Sequence, residues 1–338
     1  MREFLTELDR WLRAGEPCCL ATVVQTWGSA PRPVGSQMCI RHDHAMLGSV
    51  SGGCVEGSVL RESADVLATG QPRTLQFGVS DDSAWSVGLT CGGQLEVFLE
   101  KFPAEVWPAW RQCLAGNRSC VLCSNMGGPT GEHVLFGAEN QVLAGDLRLP
   151  ELAEIARASL FQRKNHAVEI GGERWFVRPF PRKDLLLVIG AAHAAAEVVH
   201  LAQYFDFETI VIDPRGVFAQ HTHFPTPPDR ILEAYPAEVL DEFPLDAFTF
   251  ALLMAHDPKI DDQALEILLR SEVAYIGAMS SRKSHEKRRE RLRAAGFSDA
   301  EIGKIRAPVG LPIRSRTARE IALSIVAELV AVRNGQAA

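Results

Sequence analysis

The chain has 338 residues, 46% of them hydrophobic and 23% charged, and a formal net charge of −7. This is the balance of a globular protein long enough for two domains of about 150–180 residues, without the basic excess of a nucleic-acid binder. No run reaches the roughly 18 uncharged apolar residues of a membrane span, and Glu3 and Glu7 break up the apolar stretch a signal peptide needs. We therefore expect a cytoplasmic protein whose eight cysteines are reduced thiols rather than a disulfide framework.

Phe4, Leu5, Leu8, Trp11 and Leu12 have the spacing of one helical stripe, which predicts a docking helix over residues 3–12. Residues 18–25 (CCLATVVQ) form a β-rich apolar run, 26–33 a turn-rich loop and 37–41 a second strand. Next comes the first of two glycine-cysteine elements, Ser51-Gly52-Gly53-Cys54-Val55-Glu56-Gly57; the second is Gly88-Leu89-Thr90-Cys91-Gly92-Gly93-Gln94. Each places a thiol beside a Gly-Gly pair, where missing side chains let backbone N–H groups approach an anion. Taken singly, each reads as a tight turn with a buried cysteine. Two such corners flanked by Ser, Thr, Glu and Gln point instead to a shared site, and a soft sulfur ligand beside an anion cradle suits a metal-bearing, phosphorylated cofactor.

A helix is predicted over 57–68, so residues 52–57 lie at its N-terminus, where an anion meets unsatisfied N–H groups. Residues 94–100 (QLEVFLE) alternate as a half-buried strand does. Between 101 and 182 the pattern is weaker: Trp107, Trp110 and Trp175 read as packing residues and 125–131 as a Gly/Pro-rich loop. Cys120 and Cys123 form a C-x-x-C pair near Cys113, but without a second pair they read as buried residues rather than zinc ligands.

From Asp184 the chain alternates strand and helix: strands at 185–189, 209–213, 247–254 and 273–276, helices at 193–204, 261–269 and 282–293. This predicts a doubly wound parallel sheet, with ligands outside the carboxyl ends of its strands. Asp213 lies at about the spacing after Gly190 at which a Rossmann acid meets ribose hydroxyls, but the turn reads Gly190-Ala191-Ala192-His193-Ala194-Ala195, with alanine where two glycines belong. His256, Asp257 and Ser280 to Arg282 fall at strand ends, and Lys283, Lys287, Arg288, Arg289, Arg291 and Arg293 make the next helix strongly basic, a solvated face or a dock for a phosphate or an acidic partner. Capping boxes at Ser298 and Thr317 open two final helices. The domains are placed at 1–182 and 183–338.

Several motifs, in order, resemble the XdhC/CoxI family of xanthine dehydrogenase and carbon monoxide dehydrogenase accessory factors. They are GSAPRPVGSQM (28–38), GSVSGGCVEGSV (48–59), VGLTCGGQLEVFLE (87–100), VIDPR (211–215), YIGAMSSRKSHEKRRERLRAAGFS (275–298), IRAPVGLPI (305–313) and REIALSIVAELVA (319–331). The resemblance implies a mixed α+β domain of the family's own type followed by a Rossmann-like domain, in a homodimer. It also implies a chaperone that binds molybdenum cofactor (molybdopterin), protects it during sulfuration, in which a cysteine desulfurase is a candidate partner, and delivers it to a xanthine-dehydrogenase-type molybdoenzyme. The GGC form at Cys54 resembles the CoxI-like branch. On this footing Cys54 and Cys91 are the reactive thiols. The cofactor contacts are placed at Ser29, Arg32, Ser51, Gly52, Gly53, Glu56, Gly92, Gly93, Gly190, His193, Asp213 and Arg215, the last four at a nucleotide site of the Rossmann-like half. Two other readings stay open: an NAD(P)-dependent oxidoreductase resting on Asp213, against which Ala192 speaks, and a Cys-dependent transferase or hydrolase with His42 or His44 as base.

Overall fold

In a computed structural model of the chain, the structure describes residues 1–53, 55–78, 93–128, 131–216 and 224–335. They form two compact units, Met1–Arg182 and Lys183–Ala338.

The first unit is built twice from one pattern. Helix α1 (Leu5–Arg13) leads into the meander β1 (Cys18–Trp27), β2 (Gln37–Arg41) and β3 (Met46–Gly48), followed by helix α2 (Glu56–Thr69) and strands β4 (Arg73–Phe77) and β5 (Gln94–Lys101). The sequence of elements then repeats as α3 (Trp107–Ala115), β6 (Cys120–Asn125), β7 (His133–Gly137), β8 (Val142–Ala144), α4 (Glu151–Gln162), β9 (His166–Ile170) and β10 (Glu173–Phe180). The sheet orders match, β3-β2-β1-β5-β4 and β8-β7-β6-β10-β9. Local detail matches too. Gly48 (φ +82°) and Gly145 (φ +84°) each close a third strand, and a Cβ there would lie 2.3 Å from the Gln37 carbonyl oxygen and 1.9 Å from that of His133, the first residues of β2 and β7. Nothing in the sequence pattern had pointed to this repeat.

Both faces of the first sheet are covered, which explains the unbroken apolar run of β1. Cys19, Ala21, Val23, Leu95, Val97 and Leu99 pack under Val59 and Val66 of α2. Cys18 and Leu20 face the other way and share a core with Trp11, Trp107, Trp110, Leu122 and Leu135. Two polar positions of β5, expected to meet solvent, are buried as well: Glu96 pairs with Arg174 at 2.7 Å, and Glu100 with His133 at 2.9 Å, so acids of the first repeat meet bases of the second. Cys120 and Cys123 are buried, and three residues apart on β6 their side chains leave opposite faces, which rules out joint chelation.

The second unit contains β11 (Leu185–Ile189), α5 (His193–Tyr204), β12 (Glu208–Ile212), β13 (Arg230–Leu232), α6 (Pro236–Val239), β14 (Thr249–Leu253), α7 (Pro258–Leu268), β15 (Tyr275–Ala278), α8 (Arg282–Ala294), α9 (Asp299–Ile302), β16 (Ile305–Arg306) and α10 (Ala318–Arg333). Its sheet, ordered β13-β12-β11-β14-β15-β16, is parallel throughout. The order reverses at β11, the doubly wound Rossmann-like arrangement. Helices α7, α8 and α9 cover one face, and α5 and α10 the other. Ser298 and Thr317 form the expected capping boxes at α9 and α10.

Candidate functional site

Strand registers bring three connections to one edge of the first sheet. Thr22 pairs with Gln37, Trp27 with Gln94, Met38 with Gly48 and Phe77 with Leu95. The loop 28–36, the corner 49–55 and the connection 78–93 therefore all leave from the same side. Cys54, Cys91 and Gly92 lie outside the described residues; their chain neighbours Gly53, Val55 and Gly93 lie within them.

The corner is organised by Glu56, the first residue of α2. Its Oε1 accepts from the Ser49 hydroxyl (2.8 Å) and from the N–H groups of Val50 (3.2 Å), Ser51 (2.9 Å) and Gly52 (3.0 Å). Its Oε2 accepts from Gly53 N–H (2.9 Å) and from the Ser51 hydroxyl, which itself accepts from Val55 N–H (2.9 Å). Burial pushes the Glu56 carboxyl up, but the Ser51 and Ser49 hydroxyls and the Ser51 N–H outweigh that and bring it down to about 2. The N–H groups that the sequence pattern offered to an incoming anion thus already hold the protein's own carboxylate. Gly52 (φ +78°) and Gly53 (φ +120°) are required by backbone conformation; both are exposed, and among the described residues no atom other than those of their chain neighbours lies within 4 Å of where a Cβ would stand. The chain is hydrogen-bonded on both sides of Cys54.

The second element is tied to the loop 28–36 by close backbone contact. A Cβ at Gly93 would lie 2.6 Å from the Ser29 carbonyl oxygen and 3.0 Å from the Ala30 nitrogen, so only glycine lets this loop approach the start of β5. The loop is held at its far end by Gly35 N–H to Val23 O (2.7 Å) and Val23 N–H to Ser36 O (2.9 Å). Ser29 and Arg32 are exposed on it, and among the described residues Arg32 has no carboxylate partner.

In the second unit three of the four predicted nucleotide contacts, Gly190, Asp213 and Arg215, are engaged within the protein. A Cβ at Gly190 (φ +100°) would lie 2.4 Å from the Ala255 nitrogen, so this glycine serves the packing of the β11 turn against the β14 turn. Asp213 is 0% exposed. One carboxylate oxygen accepts from Arg215 N–H and Nε (both 2.9 Å), the other from Ala191 N–H and Arg215 Nη2 (both 2.8 Å). All of its acceptor sites are therefore filled. Burial would raise the Asp213 carboxyl, but the Arg215 guanidinium and these N–H groups outweigh it and hold it below the usual carboxylate range. His193 is exposed at the start of α5. His256, Ser280, Ser281 and Arg282 gather instead around a cleft at the ends of β14 and β15.

Sequence reasoning missed Glu56 as the anion of its own loop and Glu100–His133 as a buried pair. The first had a signal, an acid three residues after Gly53 at a helix start with serines upstream. The second had none, because its partners come from different repeats.

A duplicated antiparallel unit with glycine-cysteine connections, joined to a Rossmann-like unit, defines the class of protein. The XdhC and CoxI family model matches residues 11–78, and the XdhC Rossmann domain model matches residues 186–329. The chain belongs to the XdhC and CoxI family. It is 28% identical to a probable xanthine dehydrogenase subunit of Bacillus subtilis (strain 168), over 98% of both chains. It is 27% identical to "Molybdenum cofactor insertion chaperone PaoD" of Escherichia coli (strain K12), over 95% of this chain and 85% of that one. A crystal structure of a xanthine dehydrogenase from Bacillus halodurans superposes with a TM-score of 0.72 at 26% identity, covering 98% of this chain and 96% of the other.

Proposed function

We propose that this chain is an accessory protein that binds molybdenum cofactor and supports maturation of a xanthine-dehydrogenase-type molybdoenzyme, without turnover of its own. The observation that carries this reading is the convergence of the loop 28–36, the corner 49–55 and the connection 78–93 on one sheet edge, since it lets both glycine-cysteine elements serve one ligand. Family membership and the relative named as a cofactor insertion chaperone support it. The Asp213–Arg215 lock speaks against the oxidoreductase alternative, because a ribose would find no free carboxylate oxygen.

As cargo, the cofactor brings a dithiolene-held molybdenum with an exchangeable terminal ligand and a phosphate-bearing end. Exposed Arg32 and Ser29 fit the phosphate end, and Gly52 and Gly53 are exposed glycines that no described side chain covers, which leaves a ligand room to approach. Because Glu56 holds the corner's N–H groups, Arg32 rather than the backbone supplies the positive charge. Cys54 and Cys91 are the thiols assigned to the metal end, activated where a thiolate is favoured. Protection during sulfuration, a cysteine desulfurase as sulfur source, a homodimer and a cytoplasmic site of action complete the proposal.

Anaerobic titration of the purified protein with molybdenum cofactor tests it. Near-stoichiometric binding is expected for the wild type, with tenfold or greater weakening in Cys54→Ser, Cys91→Ser or Arg32→Ala. No binding by the wild type would overturn the reading, and undiminished binding by all three variants would remove the site from this edge.

A further inference from the structure

The second unit carries a cleft of about 800 Å³ beyond the carboxyl ends of β14, β15 and β16, within the usual range for small-molecule sites. It lies one strand over from the crevice between β11 and β14, where the Gly190 turn meets Ala255. Its polar wall is the stripe Ser284, Lys287, Arg288 and Arg291 of α8, an i, i+3, i+4, i+7 face. Its apolar wall includes Met279, Val309 and Ile325.

The structure sorts the basic run of α8 into two groups. Arg291 is paired with Asp262, Arg293 with Asp299 at 2.8 Å, and Arg288 with Asp261 at 3.0 Å. Arg282 and Lys287, together with Arg314 of the segment 308–315, line the cleft and have no carboxylate partner among the described residues. Arg288 is the buried member of the polar wall. Its side chain is 6% exposed, Nη1 donates to the Ser280 hydroxyl at 3.3 Å, and Nε has no partner among the described residues. Three unneutralised cations beside a cluster of serine hydroxyls favour an anion with several oxygen acceptors. The apolar wall favours an attached organic body. The backbone is specialised at the same place: His256 (φ +58°) and Arg314 (φ +59°) adopt the left-handed conformation that side chains disfavour. Gly310 (φ +99°) lets the wall 308–315 close on α10, where a Cβ would lie 2.3 Å from Ser324 Oγ.

We infer that this cleft binds an organic phosphate of mononucleotide size, the phosphate held by Arg282, Lys287 and Arg314 and the body lying against Met279, Val309 and Ile325. Its described lining residues all belong to the second unit, and the inference does not depend on the proposal made for the sheet edge of the first.

Isothermal titration of the full-length protein with AMP, GMP, CMP and ribose 5-phosphate tests the inference, with inorganic phosphate as control. At least one ester is expected to bind more tightly than inorganic phosphate. Arg282→Ala and Arg314→Ala, both at exposed positions, are expected to weaken that ester about tenfold each. Asp213→Asn is expected to leave it unchanged, as are Cys54→Ser and Cys91→Ser, so failure here and failure of the cofactor proposal are read separately. Equal binding of ribose 5-phosphate would assign recognition to the sugar phosphate, and preference for one nucleotide would assign it to the base; either supports the site. Absence of binding by every ester, affinity no better than inorganic phosphate, or affinity retained in the Arg282→Ala/Arg314→Ala double variant would overturn it.

Discussion

Glu56 accepts from four backbone N–H groups and two serine hydroxyls, so replacing it strands donors that water reaches only in part. Glu56→Ala is expected to cost about 1–3 kcal/mol of stability, read by denaturant unfolding, and Glu56→Gln less, because the amide keeps one acceptor oxygen. The pH dependence has a definite sign. The folded carboxyl is lowered to about 2 from 4.5, so its contribution is fully present above 4.5 and is lost as pH falls toward 2. The Gln variant should therefore show a flatter acid limb than the wild type between those values. An identical acid limb in both would mean that Glu56 is not the anion of this corner. The same residue decides how the corner serves a ligand: it acts as a positioning group, holding the backbone on either side of Cys54.

At the scale of elements, the repeat explains why polar residues sit between the sheets. His133 on β7 bridges Glu100 on β5 (2.9 Å) and Glu105 (2.7 Å). Burial disfavours the charged imidazole, but Glu100 and Glu105 outweigh it and raise its pKa to about 9. Burial raises the Glu100 carboxyl, whereas Glu105, whose side chain is 59% exposed, carries the balancing negative charge. The protonated imidazole contributes stability in full below the unfolded value of 6.5, and that contribution fades as pH climbs to about 9. Removing one partner leaves a buried group unmatched. His133→Gln is expected to cost about 3–5 kcal/mol, and adding Glu100→Gln to recover much of it; additive losses in the double variant would show that the two groups do not interact. The repeat also marks where the first copy departs from the second. Gly171 and Gly172 alone join β9 to β10, while residues 78–93 join β4 to β5. Deleting 79–92 leaves Gly78, Gly93 and Gln94 between the paired Phe77 and Leu95, one residue more than the turn between Ile170 and Glu173. The expected result is a folded protein, by circular dichroism and thermal melting, that no longer binds molybdenum cofactor. Retained binding would show that the Cys91 connection is dispensable.

For the whole molecule, what the sequence made legible follows how local each signal was. Strand β11, helices α5 and α8, and both capping boxes rest on runs or short motifs, and the structure has them within a few residues of where periodicity placed them. The short strands β13 and β16 carry too few residues for a period, and the burial of Glu96 and Glu100 depends on partners some 30 to 80 residues away. The thiol-glycine elements were legible as unusual composition, but that one of them encloses its own carboxylate requires knowing where Glu56 points. Each unit has its own cores: clusters around Val59 and Trp110 in the first, around Leu187 and Val188 in the second. Two domains with separate cores should melt as two transitions, and a ligand stabilises only the unit that binds it. Scanning calorimetry of the full chain is therefore expected to resolve two transitions. Molybdenum cofactor at about 100 times its Kd should add about 2.7 kcal/mol to one of them, and each kcal/mol is worth roughly 2–4 °C for a unit of this size. A phosphate ester bound in the β14–β16 cleft should shift the other. One transition moved by both ligands would show that the units unfold together and that the division at 182–183 has no thermodynamic meaning. Two transitions with the cofactor acting on the Rossmann-like unit would move the cofactor site out of the sheet edge and into the cleft.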